Sequence, residues 1–176
     1  MNEELYFMAK YLVFNFGGVN MDRHFTVSVF IVHKDKVLLH SHKKAKKMLP
    51  LGGHIEVNEL PEEACIREAH EESGLEISLY SPVNEELKKS CALAGEKLLI
   101  NPMHTIFGEI TPEHCHIDFV YYATAKSYET RPADGESNLL KWYTKEDLKN
   151  SDNIQENILT MANEALVLLG EKQIIT

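Results

Sequence analysis

Positive charge is what this chain has least of: 18 Lys and Arg stand against 27 Asp and Glu, a formal net charge of −9. A nucleic-acid polymer needs a basic surface to replace the counterions of its phosphates, so such a polymer is excluded as the main partner. A small anionic substrate is not excluded, because bound cations can reverse a local field. Cysteine is equally sparse. Cys65, Cys91 and Cys115 are too few, and odd in number, for a disulfide framework, and a reducing, cytoplasmic setting is expected. Long apolar runs are missing as well. Residues 5–16 are the one notable apolar segment, but Lys10 interrupts them and Glu3 and Glu4 precede them where a leader would be basic. They are too short to cross a bilayer, so neither a leader nor a membrane association is expected. No internal repeat or low-complexity tract is visible.

What remains is ordinary globular composition, 44% hydrophobic and 26% charged over 176 residues, enough for one domain with a real core. Residues 1–20 read as a helical or stranded extension that Gly17-Gly18 separates from a single domain over 21–176. The extension packs either on the domain or on a second subunit, which makes a homodimer one of the expected arrangements. Phe25–His33 alternates as a strand, with Val27, Val29 and Ile31 on one face and Phe30 and Val32 partly on the other. Lys34-Asp35 turns it into Lys36–His40, a hairpin. Further strands are predicted at 48–51, 54–57, 75–80, His116–Thr124 and Leu139–Tyr143. Residues 82–98 read as an insertion over the sheet, helical around Glu85–Leu93. Thr144 caps a short helix, and Asn153 with Glu156 opens a last amphipathic one reaching about Gly170. Strands mixed with a few helices predict an α+β protein.

The chemistry is concentrated in residues 53–75. Pro61 suits a first helical turn, Glu62 and Glu63 suit the positive end of the helix dipole, and Gly74 suits the left-handed residue that ends a helix. Cys65, Ile66 and Ala69 then form an apolar stripe. Glu68, Glu71 and Glu72, at i, i+3 and i+4, share roughly the opposite face. Carboxylates packed that closely repel one another unless a cation sits among them, so they predict a divalent metal site. Glu62 and Glu63 read instead as a solvated surface. Arg67 lies four residues from both Glu63 and Glu71, within reach of each.

At Gly53, Glu59, Arg67, Glu68, Glu71, Glu72, Gly74 and Leu75 the chain resembles the Nudix hydrolases, whose signature has those residues at that spacing. Ala69 stands where a bulkier aliphatic residue is more usual, and Leu49–Gly53 and Lys141-Trp142-Tyr143 extend a looser likeness from about Phe25 to Leu148. The resemblance implies an α/β/α sandwich around a mixed β-sheet, and hydrolysis of a diphosphate linkage in a small nucleotide-type substrate. It implies Mg2+ (or Mn2+) held by Glu68 and Glu72, by the Gly52 carbonyl, and by Glu71 as third ligand or as the group orienting a water. An oxygen-rich set with room for waters is what Mg2+ prefers. Arg67 is expected to pair with Glu59 or Glu71 and fix the catalytic loop. The general base is Glu71 or a carboxylate outside the box, with Glu136 ahead of Asp118 and Glu113.

Other residues invite colder readings. Lys43, Lys44, Lys46 and Lys47 read as a solvated loop before phosphate contacts, and His42 and His54 are equally substrate contacts or bystanders. His114-Cys115-His116 lacks the usual zinc spacing, and Asp118 is as readily a structural hydrogen-bonding group as a base. Two alternatives share the fold: an isopentenyl-diphosphate-isomerase-like enzyme, which needs a cysteine facing a glutamate, and a non-catalytic nucleotide-binding module. Neither the downstream proline of ADP-ribose hydrolases nor a Ser-Gln-Pro-Trp-type motif of the NADH group is present, which leaves a general nucleotide, including a damaged nucleoside triphosphate, as the expected substrate.

Overall fold

A computed structural model describes residues 22–41, 47–82 and 84–171. The 1–20 extension, His42, Lys43, Lys44 and Lys46 lie outside the described residues. In chain order the elements are β1 (Asp22–His33), β2 (Lys36–Ser41), β3 (Met48–Leu49), β4 (Leu51–His54), α1 (Pro61–Ser73), β5 (Ile77–Leu79) and α2 (Glu85–Leu93). There follow β6 (His104–Thr111), β7 (His114–Ala125), β8 (Leu140–Tyr143), α3 (Lys145–Lys149) and α4 (Glu156–Leu169).

All eight strands join one mixed sheet. β1 is its spine. One edge pairs antiparallel with β2 through Ile31–His33 and with β4 through Thr26–Val29. The other edge pairs parallel with β7 from Asp22↔His114 to Val32↔Thr124. β7 in turn carries β5 and β6, and β2 carries β3 and β8. Lys34 adopts the left-handed φ of 53° in the tight turn that closes the β1–β2 hairpin.

The period of two along β1 sends its apolar residues to two separate cores. Val27, Val29 and Ile31 pack with Leu38, Leu51, Tyr121 and the small residues Ala64, Cys65 and Ala69 of α1. Phe30 and Val32 pack with Val37, Leu39, Tyr122, Leu148 and the Ile158, Ala162 and Leu166 face of α4. Both faces of the sheet are covered here, and Phe30 and Val32, on the second face, are wholly buried. This is the expected sandwich of helices around a mixed sheet.

Several local expectations need correction. The strand expected at 54–57 lies at Leu51–His54 instead. Beyond it the Ile55 N–H still reaches Phe25 O, but Glu59 and Arg67 side chains take over the backbone groups of His54 and Glu56. β6 escaped notice because it is an outer strand with no fully buried residue, and Phe107 and Ile110 are exposed. α2 forms at Glu85–Leu93, but none of its residues is buried, so it does not cover the sheet. Ile66 is exposed, and the docking stripe of α1 runs through Ala64, Cys65 and Ala69. Glu62 is not a solvated surface group: it is buried and accepts hydrogen bonds from Ile100 N–H and Lys97 Nζ. Glu63 is exposed, as expected, and its carboxylate accepts from the Leu60 N–H at the start of α1. Asn153 lies too early to cap α4, whose N-cap position is held by Gln155 without a side-chain hydrogen bond.

Phe30 is fully buried and meets Tyr122 edge-to-face, with ring centroids 5.9 Å apart. Phe30→Ala should therefore cost about 3–5 kcal/mol of stability, through lost burial and a residual cavity. Urea unfolding measures it; a loss below about 1 kcal/mol would mean that the core under α4 collapses onto the gap.

Candidate active site

The site forms where α1 crosses β4. Pro61 opens α1, and Gly74 closes it with a φ of 70° and an N–H donated to His70 O. Between these ends the small Ala64, Cys65 and Ala69 bring the helix close to the sheet, which carries Glu68 and Glu72 down onto β4. The Gly52 N–H donates to Glu72 Oε2 at 2.7 Å. A Cβ on Gly53 would lie 2.4 Å from Glu68 Oε1. A Cβ on Gly52, whose φ is 150°, would lie 2.0 Å from the Val27 carbonyl oxygen. Side chains are thus excluded at positions 52 and 53 of β4, at the first by the neighbour strand and at the second by a carboxylate.

Arg67 ties the helix to the loop before it. Its Nε and Nη2 donate to the two oxygens of Glu59 at 2.8 and 2.9 Å. Nη2 also donates to His54 O at 3.0 Å, and Nη1 to Glu68 Oε1 and Glu71 Oε2 at 2.8 and 3.1 Å. The fork meets both expected partners, Glu59 and Glu71, together with Glu68. This bidentate pairing holds the Glu59 carboxyl below the usual carboxylate range.

The carboxylates facing β4 are in the opposite condition. Burial raises Glu72 most, with the charges of Glu68, Glu136 and Glu71 adding to it, and pushes it up to about 7. Burial also raises Glu68, against the pull of Arg67. Glu136 belongs electrostatically to this cluster although it lies far along the chain. Its loop is pinned rather than free to swing. Trp142 Nε1 donates to Tyr128 O, Arg131 and Ala133 N–H groups donate to the Ser73 and Glu71 carbonyls, and Ser137 Oγ donates to Ser41 O. Four carboxylates therefore converge where Arg67 is already matched to Glu59. Oxygen donors with uncompensated negative charge fit a hard divalent cation.

Beside the glutamates lies a cavity of about 440 Å3, lined by Gly52, Gly53, His40, His54, Asp118 and the apolar Ile106 and Met161 among others. That is an ordinary volume for a small-molecule site. Another cleft, about 510 Å3, is lined by Asp35, Lys145 and Glu171 and contains none of these carboxylates. Asp118 faces the cavity and accepts from Thr26 Oγ1 at 2.9 Å. Glu113 lies in the β6–β7 turn, exposed, its carbonyl accepting from the Asp22 N–H. Lys47 is exposed. Cys65 and Cys115 are fully buried, line neither cleft, and burial pushes the Cys65 thiol well up. A cysteine–glutamate pair of the isomerase kind is therefore not supplied by either residue.

The comparisons with known proteins agree with this geometry. The family model for the NUDIX domain matches residues 22–162. The chain belongs to the Nudix family. It is 75% identical to a NUDIX-family hydrolase from Clostridium perfringens, over 85% of this chain and 99% of that one, with a TM-score of 0.81. A probable DHNTP pyrophosphohydrolase from Lactococcus lactis subsp. cremoris is 30% identical over 67% of this chain and 64% of its own length. A MutT protein from Methanosarcina mazei shares the fold at 14% identity, with a TM-score of 0.61, over 84% of this chain and 95% of that one. This Nudix chain thus belongs to a family with named hydrolases, and it spans 64% of the length of the curated Lactococcus relative.

Sequence reasoning brought Gly52, Gly53, Glu59, Arg67, Glu68, Glu71, Glu72 and Glu136 to one place, and the structure assembles them there. It did not foresee that His24, His54, His114 and His116 would also meet. Their juxtaposition depends on the β1–β7 register, which no local pattern announces.

The raised Glu72 carboxyl has a consequence for stability. Its folded value of about 7 exceeds the unfolded one near 4.5, so between those values the folded state holds more protons. Stability from this group therefore falls as pH rises from about 4.5 to 7, and the penalty is fully present above that. Glu72→Gln mimics the protonated group, so without metal it should raise the melting temperature at pH 8 more than at pH 5. Calorimetry on both proteins checks this, and an equal difference at the two pH values would contradict the assignment.

Proposed function

We propose that this Nudix chain is a metal-dependent pyrophosphohydrolase that cleaves a nucleoside diphosphate linked to another moiety, either a nucleoside triphosphate or a nucleotide conjugate. The observation that carries the reading is the convergence of Glu68, Glu71, Glu72 and Glu136 beside the cavity containing Gly52 and Asp118. Glu68, Glu72, Glu71 and the Gly52 carbonyl would hold Mg2+ or Mn2+, which supplies charge neutralisation to the phosphates and acidifies a water. Arg67 holds Glu59, Glu68 and Glu71 in register and so positions the ligands. Glu136 accepts the proton of the attacking water. The new P–O bond forms from that water, and the anhydride P–O bond breaks as the second phosphate leaves. Asp118 and Thr26 offer the substrate a polar wall, whereas Ile106 and Met161 offer an apolar one. The printed name of the Lactococcus relative places DHNTP on the list of substrates to try, beside nucleoside triphosphates and nucleotide conjugates.

A phosphate-release screen of that panel with Mg2+ and Mn2+ tests the function. Glu68→Gln and Glu72→Gln should each lower kcat on the best substrate by about two orders of magnitude or more. Near-normal turnover in both variants would sink the metal assignment.

The base has its own test. Glu136→Gln should depress kcat far more than it changes KM, because proton abstraction belongs to the transition state. The acidic limb of its pH–rate profile should shift while Mg2+ affinity changes little. Wild-type kcat with an unaltered acidic limb would transfer the role to Glu71.

A further inference from the structure

On the cavity's other side, histidines gather. His24 of β1 and His116 of β7 are direct neighbours in the parallel ladder, and His114 stands two residues before His116 on the same face. β4 adds His54, paired across the sheet with Thr26. One ligand atom from each of these four rings lies within 4.8 Å of all the others. Ring centroids are 4.6 Å apart for His24 and His114, 4.7 Å for His114 and His116, and 5.0 Å for His54 with either His24 or His116. We propose that His24, His54, His114 and His116 form a second metal site, selective for a late first-row transition ion of the Zn2+ class and separate from the glutamate site.

Five considerations support it. Imidazole nitrogens suit zinc, copper and nickel, whereas Mg2+ demands oxygen, so the two sites sort ions by donor type. Tetrahedral zinc with Zn–N bonds of about 2.0–2.1 Å needs its nitrogens roughly 3.3–3.5 Å apart, so rings on neighbouring strands need only small side-chain rotations to reach it. His114 Nε2 and His116 Nε2, now 2.8 Å apart, already share one proton whose place an ion can take. Metal-bound histidines are commonly oriented by a carboxylate behind them. Asp22 is so placed, its Oδ2 being 2.9 Å from His24 Nε2 and 3.8 Å from His114 Nδ1. Finally, burial and the neighbouring imidazoles push the His116 ring below its ordinary value, which favours the neutral form that ligates. Cys115, between the two β7 histidines, points into the interior and takes no part.

His54 and His116 also line the cavity, so an ion here stands at the wall of the substrate site. The proposal does not require that the glutamate site bind metal, and the test separates the two. Full-length, chelator-stripped protein in a large excess of Mg2+ is titrated with Zn2+ against a chromophoric chelator, and with Co2+ followed by its visible d–d absorption. One equivalent should bind, with the intense bands of tetrahedral cobalt. The double variant Glu68→Gln/Glu72→Gln should retain it, and His114→Gln or His116→Gln should weaken it at least about tenfold. Should the histidine variants fail to fold, NMR of the wild-type imidazoles gives the same answer. Zn2+ should shift His24, His54, His114 and His116 and leave His33 and His70 unmoved. Zinc affinity that follows the glutamates, or no equivalent bound and no imidazole shifts, overturns the proposal.

Discussion

The hydrogen bond from the Gly52 N–H to the buried Glu72 carboxylate is the contact on which the rest of the site depends. A charge taken out of water is costly unless something replaces its hydration. Here the replacement is bare backbone, and that choice dictates much around it. β4 can carry no side chain at positions 52 and 53, because Val27 O and the Glu68 carboxylate occupy the space. The helix must come within hydrogen-bonding distance of a strand, which only a stripe as small as Ala64, Cys65 and Ala69 allows. The strand itself must be held rigid, and four residue pairs with β1 hold it.

Arg67 solves a related problem at the other end of the helix. Glu59, Glu68 and Glu71 would repel one another, and a single planar fork reaches all three with charge-assisted bonds. Because the same guanidinium binds His54 O, the chain beyond β4 surrenders its ladder pairing and turns, with Asn58 in the left-handed region at a φ of 68°. The irregular segment between β4 and α1 is thus a product of the carboxylate cluster rather than an accident of loop sequence. Attraction to Arg67 does not extend equally to Glu72, which remains raised to about 7. The cluster therefore keeps a negative surplus for a cation.

What was legible in the sequence follows from range. The i, i+3, i+4 spacing of Glu68, Glu71 and Glu72 is local, and so are Pro61, Gly74 and the Thr144 cap, so helix boundaries and the glutamate face could be read directly. The alternation of β1 was equally plain, and Phe30 and Val32 on its second face are fully buried because a helix from further along the chain covers them. β6 and the exposure of α2 were not legible, since an outer strand without a buried stripe carries no clear period. Glu62 misled for a similar reason. Its partners, Ile100 and Lys97, come from a segment more than thirty residues away, beyond any helical rule. The histidines were dismissed by examining 114–116 alone, where the spacing is indeed wrong for zinc. Long-range register is what brings His24 and His54 beside His114 and His116.

That register sets a division of labour along β4. Gly52 faces a glutamate cluster, and His54, two residues on, faces the imidazoles, so the chemistry changes from hard oxygen to borderline nitrogen within two residues of one strand. Raw affinity would favour a transition ion over Mg2+ at nearly any mixed site, following the usual order of divalent metals. The carboxylate cluster has one imidazole against it, His40 Nδ1 at 3.5 Å from Glu72 Oε1, but oxygen donors outnumber it, and that balance suits a hard cation. Asp22, the carboxylate nearest the imidazoles, is 69% exposed at its side chain and engages His24. It is better suited to orienting a ring than to drawing a hard ion across. The two donor sets also have different supports, since the carboxylates hang from a helix whose loop Arg67 fixes while the imidazoles stand on hydrogen-bonded strands. A change at one site can therefore leave the other's geometry intact, with β4 as the element common to both.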